Sequence, residues 1–224
     1  MRFLCLHGMG TNSRIFEMQT AAIRHGLGTT HTFEYIDGAV PAQMAPGVGS
    51  VAGANEEYLQ YGDPTSPESY SKALHDLENF LEEEGPFDGV MAFSQGAGLA
   101  ASLLAHHSRR SARQAHMKPT FRFAVFFCGG VPGDVFGAKG VEPRLMSFEE
   151  DGEVIGIPTA HIWGAHDEIY PTFGPVLSKM CDSSQRATFV HQGGHEIPGA
   201  KDPDGVLGSI RAIKRVIQLA NEAE

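Results

Sequence analysis

The chain has 224 residues, enough for one α/β domain with a substantial core. Hydrophobic residues make up 42% and charged residues 20%, an ordinary balance for a globular protein. The formal net charge of −10, with no long Lys/Arg run, argues against nucleic acid or an anionic membrane as partner.

The densest basic stretch, Arg109-Arg110-Ser111-Ala112-Arg113, reads as the solvated C-terminal turn of a helix, where cations complement the helix dipole. Cys5, Cys128 and Cys181 form no C-x-x-C pair. Cys5 and Cys128 sit in apolar runs and read as buried hydrophobes in a reducing compartment. The first apolar run, Phe3 to Leu6, is too short for a signal-peptide core, and no stretch reaches membrane-spanning length. A soluble, cytoplasmic protein is the expectation.

Along the chain, short apolar runs alternate with helical periodicity, the pattern of βαβ units and a parallel sheet. Arg2 to Leu6 predicts the first strand. Thr11, Asn12 and Ser13 offer N-cap oxygens to a helix with Ile15, Met18 and Ala22 on its apolar face. Thr32 to Ile36 predicts a strand, and Pro67 to Glu84 a helix with Leu74, Leu77 and Leu81, stopped by Gly85-Pro86. Asp88 to Phe93 predicts a strand that runs straight into a helix carrying Leu99, Leu103 and Leu104. Phe121 to Cys128, Thr159 to Trp163 and Ala187 to His191 predict three more strands, the first almost wholly apolar, as a buried parallel position demands. Val206, Ile210, Ile213 and Ile217 mark the last helix. Two Gly/Pro-rich segments, 37–66 and 129–157, fit neither period. They are candidate lids, which would wall a pocket above the carboxyl ends of the strands. The whole chain, 1–224, is expected to form a single domain.

The strongest local signal is Val90-Met91-Ala92-Phe93-Ser94-Gln95-Gly96-Ala97-Gly98. An apolar strand ends on a serine and a small-residue helix follows at once, as in the nucleophile elbow G-x-S-x-G. The positions two before and two after the serine must be small, because strand and helix pack tightly there. Gly96 meets that need; Ala92 stands where glycine is usual. The Gln95 N–H opens the helix and can face an oxyanion. His7-Gly8-Met9-Gly10 follows the first strand, where a hydrolase places its second oxyanion donor, here the Met9 N–H. The same run lacks the last glycine of a dinucleotide fingerprint, and His7 reads as structural.

Trp163-Gly164-Ala165-His166-Asp167 ends a strand on a turn and a carboxylate, the place for the acid that orients a histidine. Asp134 also follows a strand and competes for this role. Gln192-Gly193-Gly194-His195 lets a loop carry His195 back over the sheet. Ser94, Asp167 and His195 then occur in the order Ser…Asp…His, each after a strand, as in an α/β-hydrolase. No metal site is indicated: His106 and His107 point to different helix faces, and no H-E-x-x-H or cysteine cluster occurs. Phe93, Trp163, Tyr170 and Phe173 are candidates either for an apolar acyl pocket or for the core.

Leu4-Cys5-Leu6-His7-Gly8, Phe87 to Val90 leading to Phe93-Ser94-Gln95-Gly96-Ala97, Ile162 to Asp167, and Gly194-His195-Glu196-Ile197-Pro198 together resemble the fungal serine hydrolase (FSH) family. The resemblance implies an α/β-hydrolase fold, with a mostly parallel twisted sheet and helices on both faces. It also implies a cofactor-free, metal-free hydrolase of acyl esters or thioesters. Members similar to lovastatin-type thioesterases free a polyketide from the acyl carrier domain of its synthase. The expected substrate is therefore an acyl-carrier-protein thioester or, alternatively, a small or medium-chain carboxylic ester. A non-catalytic binding protein on the same scaffold is the third reading. Docking on an acidic carrier domain would fall to Arg109, Arg110 and Arg113. Ala92 departs from the glycine usual in the family and Met9 from the frequent phenylalanine, which bears on elbow packing and on the acyl pocket.

Overall fold

The computed structural model describes residues 1–50, 56–63, 65–111, 119–134 and 143–223. In chain order the elements are β1 (Arg2–Leu6), α1 (Ser13–Gln19), α2 (Ala21–Leu27), β2 (Thr32–Ile36), β3 (Val40–Pro41), β4 (Leu59–Gln60), α3 (Pro67–Glu84), β5 (Gly89–Phe93) and α4 (Gln95–Ser111). They continue with β6 (Phe123–Phe127), β7 (Gly133–Asp134), β8 (Arg144–Leu145), α5 (Phe148–Asp151), β9 (Thr159–Gly164), α6 (Phe173–Lys179), β10 (Arg186–His191) and α7 (Pro203–Glu222).

Six strands form one sheet in the order β10-β9-β6-β5-β1-β2, with every neighbouring pair parallel. Side chains alternate between its faces. Phe3, Cys5, Met91, Phe93, Val125 and Phe127 join one apolar cluster with Phe16, Ile23, Ile213 and Val216 of α1, α2 and α7. Leu4, Leu6, Val90, Ala92, Ala124 and Phe126 join the other with Leu74, Leu77, Leu99 and Leu103 of α3 and α4. A sheet covered on both faces has no polar face, which is why its central strands read as continuous apolar runs.

From β1 the chain steps outward to β2, then returns past β1 to β5 and proceeds the other way to β10. The direction of winding therefore reverses between β1 and β5. The carboxyl ends of these two neighbours open a crevice, the place where open α/β sheets bind ligands.

The first predicted helix is two. Thr20 ends α1 and donates its hydroxyl to the Phe16 carbonyl at 2.9 Å, and α2 starts in the next residue. Side-chain bonding back to the preceding turn bends helices. The bend turns Ile15, Phe16, Ile23 and Leu27 inward and leaves Met18 40% exposed, so Met18 does not belong to the core face expected for it. Cys5, Cys128 and Cys181 are all buried and free. Among the described residues no helix is long and apolar enough to cross a membrane.

The two irregular segments carry short antiparallel pairs, β3 with β4 and β7 with β8. Residues 51–55 and 64 of the first and 135–142 of the second lie outside the described residues, as does Arg113.

Candidate active site

Ser94 stands between β5 and α4 with φ of 50°, a left-handed conformation rare outside glycine. The turn is fastened on both sides. The Ser94 N–H donates to the Phe127 carbonyl at 3.0 Å, and the Ser94 carbonyl accepts from the Gly98 and Gly130 N–H groups at 3.1 and 3.0 Å. Gly96 is required by close approach: a Cβ there would lie 2.5 Å from the His7 carbonyl oxygen and 2.7 Å from that of Leu6. Ala92 is fully buried in the α3/α4-side cluster, so its methyl is accommodated within the core.

His195 arrives on the loop after β10. Its Nε2 lies 2.9 Å from Ser94 Oγ, and its Nδ1 lies 2.6 Å from Asp167 Oδ2. The other oxygen of Asp167 accepts from the Ile169 and Tyr170 N–H groups at 3.1 and 2.8 Å. The His195 ring sits between two aromatic rings, with Phe93 at 5.1 Å and Tyr170 edge-on at 4.9 Å. A Cβ on Gly164 would lie 2.2 Å from the carbonyl oxygens of both Gly193 and Gly194. That glycine lets the Asp167 turn and the His195 loop lie against each other. The His166 N–H donates to the Gly193 carbonyl at 3.0 Å, and the Ala165 N–H to the His191 carbonyl at 2.7 Å. His191 Nδ1 in turn accepts from the Gly193 N–H at 3.1 Å.

Asp134, the sequence competitor for the acid, is elsewhere. It lies in β7 and pairs with Arg109 at 2.7 Å. Arg109 also holds Asp151 at 2.8 Å, and Arg110 lies 3.9 Å from Glu78. The basic cluster expected to dock a carrier domain is thus tied into ion pairs at its described members.

His7 is fully buried, and burial lowers its pKa. Its Nε2 accepts the Gly38 N–H at 2.9 Å, which leaves the proton on Nδ1, directed to the Gly8 carbonyl at 2.8 Å. The Tyr61 hydroxyl accepts the His7 N–H at 2.9 Å and donates to the Ile36 carbonyl at 3.0 Å. Sequence reasoning missed a second role for Gln95. Its side-chain oxygen accepts the Tyr61 N–H at 2.8 Å and its amide donates to the Gly62 carbonyl at 2.9 Å. Residues more than thirty positions apart carry no local signal for such a clamp.

Cys128, Asp167 and His195 place donor atoms within 4.8 Å of one another. Asp167 and His195 already bond to each other through the atoms a cation would take. The Cys128 thiol is pushed up to about 12 by burial, which makes it a protonated packing group rather than a metal-ligating thiolate.

Ser94 and His195 open onto a groove of about 980 Å³, lined also by Met9, residues 42–48, Ile169, Tyr170 and the loop from Gly194 to Asp202. Met9 reaches it from the end of β1, the strand beside β5. Of the four aromatic candidates, Phe93 and Tyr170 line the groove. Phe173 stacks on Tyr170 at 4.3 Å, and Trp163 packs into the core over Gly174.

The family described as serine hydrolase (FSH1) matches residues 1–204. Esterase FPY3 of Fusarium mangiferae is 41% identical over 225 aligned residues, covering 98% of each chain. Hydrolase phiM of Fungal sp. (strain ATCC 74256) is 32% identical, covering 88% of this chain and 86% of its own. Among solved structures, a carboxylesterase from Mesorhizobium loti superposes with a TM-score of 0.58 at 20% identity, over 92% of this chain and 85% of that one. The fold is that of the α/β-hydrolases, and the chain, a serine hydrolase, belongs to the FSH1 family.

Proposed function

We propose that the chain hydrolyses acyl esters through a covalent acyl-Ser94 intermediate, with His195 as general base and Asp167 as the carboxylate that orients it. The observation that carries this reading is the continuous hydrogen-bond chain from Ser94 Oγ through both nitrogens of His195 to Asp167, assembled from the ends of three strands. With Nδ1–H donated to Asp167, the Nε2 lone pair faces the serine hydroxyl. Nε2 takes the hydroxyl proton as Oγ attacks the acyl carbonyl carbon. The carbonyl oxygen becomes an oxyanion, held by the Met9 and Gln95 N–H groups. Seventeen-residue α4 begins at Gln95 and adds the positive end of its dipole. Nε2–H then protonates the departing alcohol. Water enters, gives a proton to His195 Nε2, and its oxygen displaces Ser94, whose Oγ takes that proton back from Nε2, so ester and water become acid and alcohol and the enzyme is restored.

The same steps on a thioester would release an acyl or polyketide chain from a carrier domain, by hydrolysis or, with a substrate hydroxyl in place of water, by cyclisation. The large groove favours keeping this second reading; the paired Arg109 and Arg110 weigh against a carrier dock. Matched octanoyl oxygen ester and thioester, assayed on wild type and Ser94→Ala, separate the two. Ser94-dependent turnover with oxygen-ester preference is the expected result. Thioester preference would move the conclusion to carrier release. Turnover that survives Ser94→Ala would overturn both.

A further inference from the structure

The reaction decides which side of the groove takes which half of the substrate. A leaving alcohol or thiol must lie beside His195 Nε2 to receive its proton. That side is the loop from Gly194 to Asp202, where Ile197 and Pro198 are buried and the exposed members include Glu196 and Lys201. The acyl chain runs away from Nε2 into the rest of the groove, whose lining includes Met9, Met18 of α1 and Met44.

Those three side chains are 36%, 40% and 50% exposed. Met91, Met146 and Met180 are buried, and Met1 is half-buried. Among the described residues, then, every exposed methionine faces this one groove. An exposed thioether adds little to the fold by burial, whereas a flexible, polarisable side chain adapts to irregular apolar partners. The groove's volume of about 980 Å³ is also far more than an acetyl group fills.

We propose that Met18 and Met44 determine acyl specificity, forming with Met9 a subsite for a long, flexible apolar acyl chain, while the part of the groove beside His195 Nε2 takes the leaving group. The proposal rests on the acyl-Ser94 reading and deepens it.

The test is kcat/KM over a series of p-nitrophenyl esters from acetate to dodecanoate, which keeps the leaving group constant. In the wild type it rises roughly two- to fourfold per methylene through octanoate, the range between partial and full desolvation of a CH₂. Met18→Gln and Met44→Gln each lower the octanoate-to-acetate ratio about threefold or more, and the double variant about tenfold. Leu207→Gln, an exposed apolar residue of α7 outside the groove, leaves the ratio unchanged. A wild-type series that is flat or falls with length overturns the proposal, as does a double variant with the wild-type ratio. Labelling by a fluorophosphonate reports that each variant is folded; if the variants fail to fold, the wild-type series decides alone. Failure of the underlying reading looks different: no fluorophosphonate adduct on Ser94, and no ester turned over at any length.

Discussion

Two Gly/Pro-rich segments, 37–66 and 129–157, look alike in sequence and are fastened by different physics. The first is moored chiefly by its backbone N–H and carbonyl groups to residues that follow β1, with one ion pair, Arg14 to Glu56 at 2.8 Å. Gly38 N–H donates to His7, Ala45 N–H to the Gly10 carbonyl at 2.9 Å, and Gly10 N–H to the Leu59 carbonyl at 2.9 Å. Its residues 42–48 wall the groove. The second segment begins with one such bond, the Gly130 N–H to the Ser94 carbonyl at 3.0 Å, and around Asp151 it is moored by charge. Asp151, with a side chain only 3% exposed, accepts from Arg109, from both terminal nitrogens of Arg144 and from the Ser147 N–H. Its β7 packs against α4, with the Gly133 N–H on Ser102 Oγ at 2.8 Å, the Val154 N–H donates to the Met180 carbonyl at 2.8 Å, and none of its described residues lines the groove. The contrast teaches that irregular composition marks a long connection without saying what it serves; the groups at its anchor points do. Damage to the first segment should be read in catalysis, damage to the Asp151 anchor of the second in stability.

The largest effect concerns the two aspartates that sequence left in competition. Asp167→Asn should lower kcat about ten-thousand-fold, the cost of holding the histidine in the wrong tautomer. Asp134→Asn, in the second segment, should leave kcat within about twofold. Steady-state kinetics on both variants checks this, and the reverse pattern would move the acid to β7.

Next comes His7→Leu, which strips the Gly38 N–H of its acceptor, while the Gly8 carbonyl keeps the Thr11 hydroxyl at 2.7 Å and the Thr11 N–H at 3.3 Å. An orphaned buried donor costs about 1–3 kcal/mol. Because the same loop carries the Met9 N–H, kcat/KM should fall about ten- to a hundredfold along with Tm. A variant that loses Tm but keeps kcat/KM would detach the first segment from catalysis.

Asp151→Asn should act in the opposite way. It should cost about 2 kcal/mol, or roughly 4–8 °C in Tm, with kcat/KM unchanged. Melting and kinetics on one preparation give both readings.

The smallest effect is in pH. His7, and His161 at about 3, are held neutral by burial below their ordinary 6.5. The unfolded chain binds their protons first, so the stability they confer is complete above pH 6.5 and erodes as pH falls below it. Asp151 is held at about 2, chiefly by its hydrogen bonds from Arg144, against an ordinary 3.8. Its contribution is complete above that value and is lost between pH 3.8 and about 2. The Tm gap between wild type and Asp151→Asn should therefore be constant above pH 3.8 and close between pH 3.8 and about 2. A gap that already narrows at pH 6 would contradict the assignment.

The six-stranded sheet and the three residues that meet at Ser94 were legible because their causes are local. Each strand is a short apolar run, and Ser94, Asp167 and His195 each follow one beside a glycine that a close approach demands. What was not legible depends on distant partners or on elements too short to have a period. The two-residue pairs β3–β4 and β7–β8 have none, and α6 begins Phe-Gly-Pro, which masks helical spacing. Met18 reads as core by its spacing and is turned out by the bend at Thr20. Arg109 reads as a free cation because Asp134 and Asp151, its partners, lie 25 and 42 residues away.

The most direct test of the account is acid quenching of the enzyme during turnover of an octanoyl ester, followed by peptide mapping by mass. The account predicts an octanoyl adduct on the peptide that contains Ser94, absent from Ser94→Ala, and longer-lived when water is limited. An adduct on any other side chain, Cys128 beside the site included, or undiminished turnover by Ser94→Ala, would contradict it.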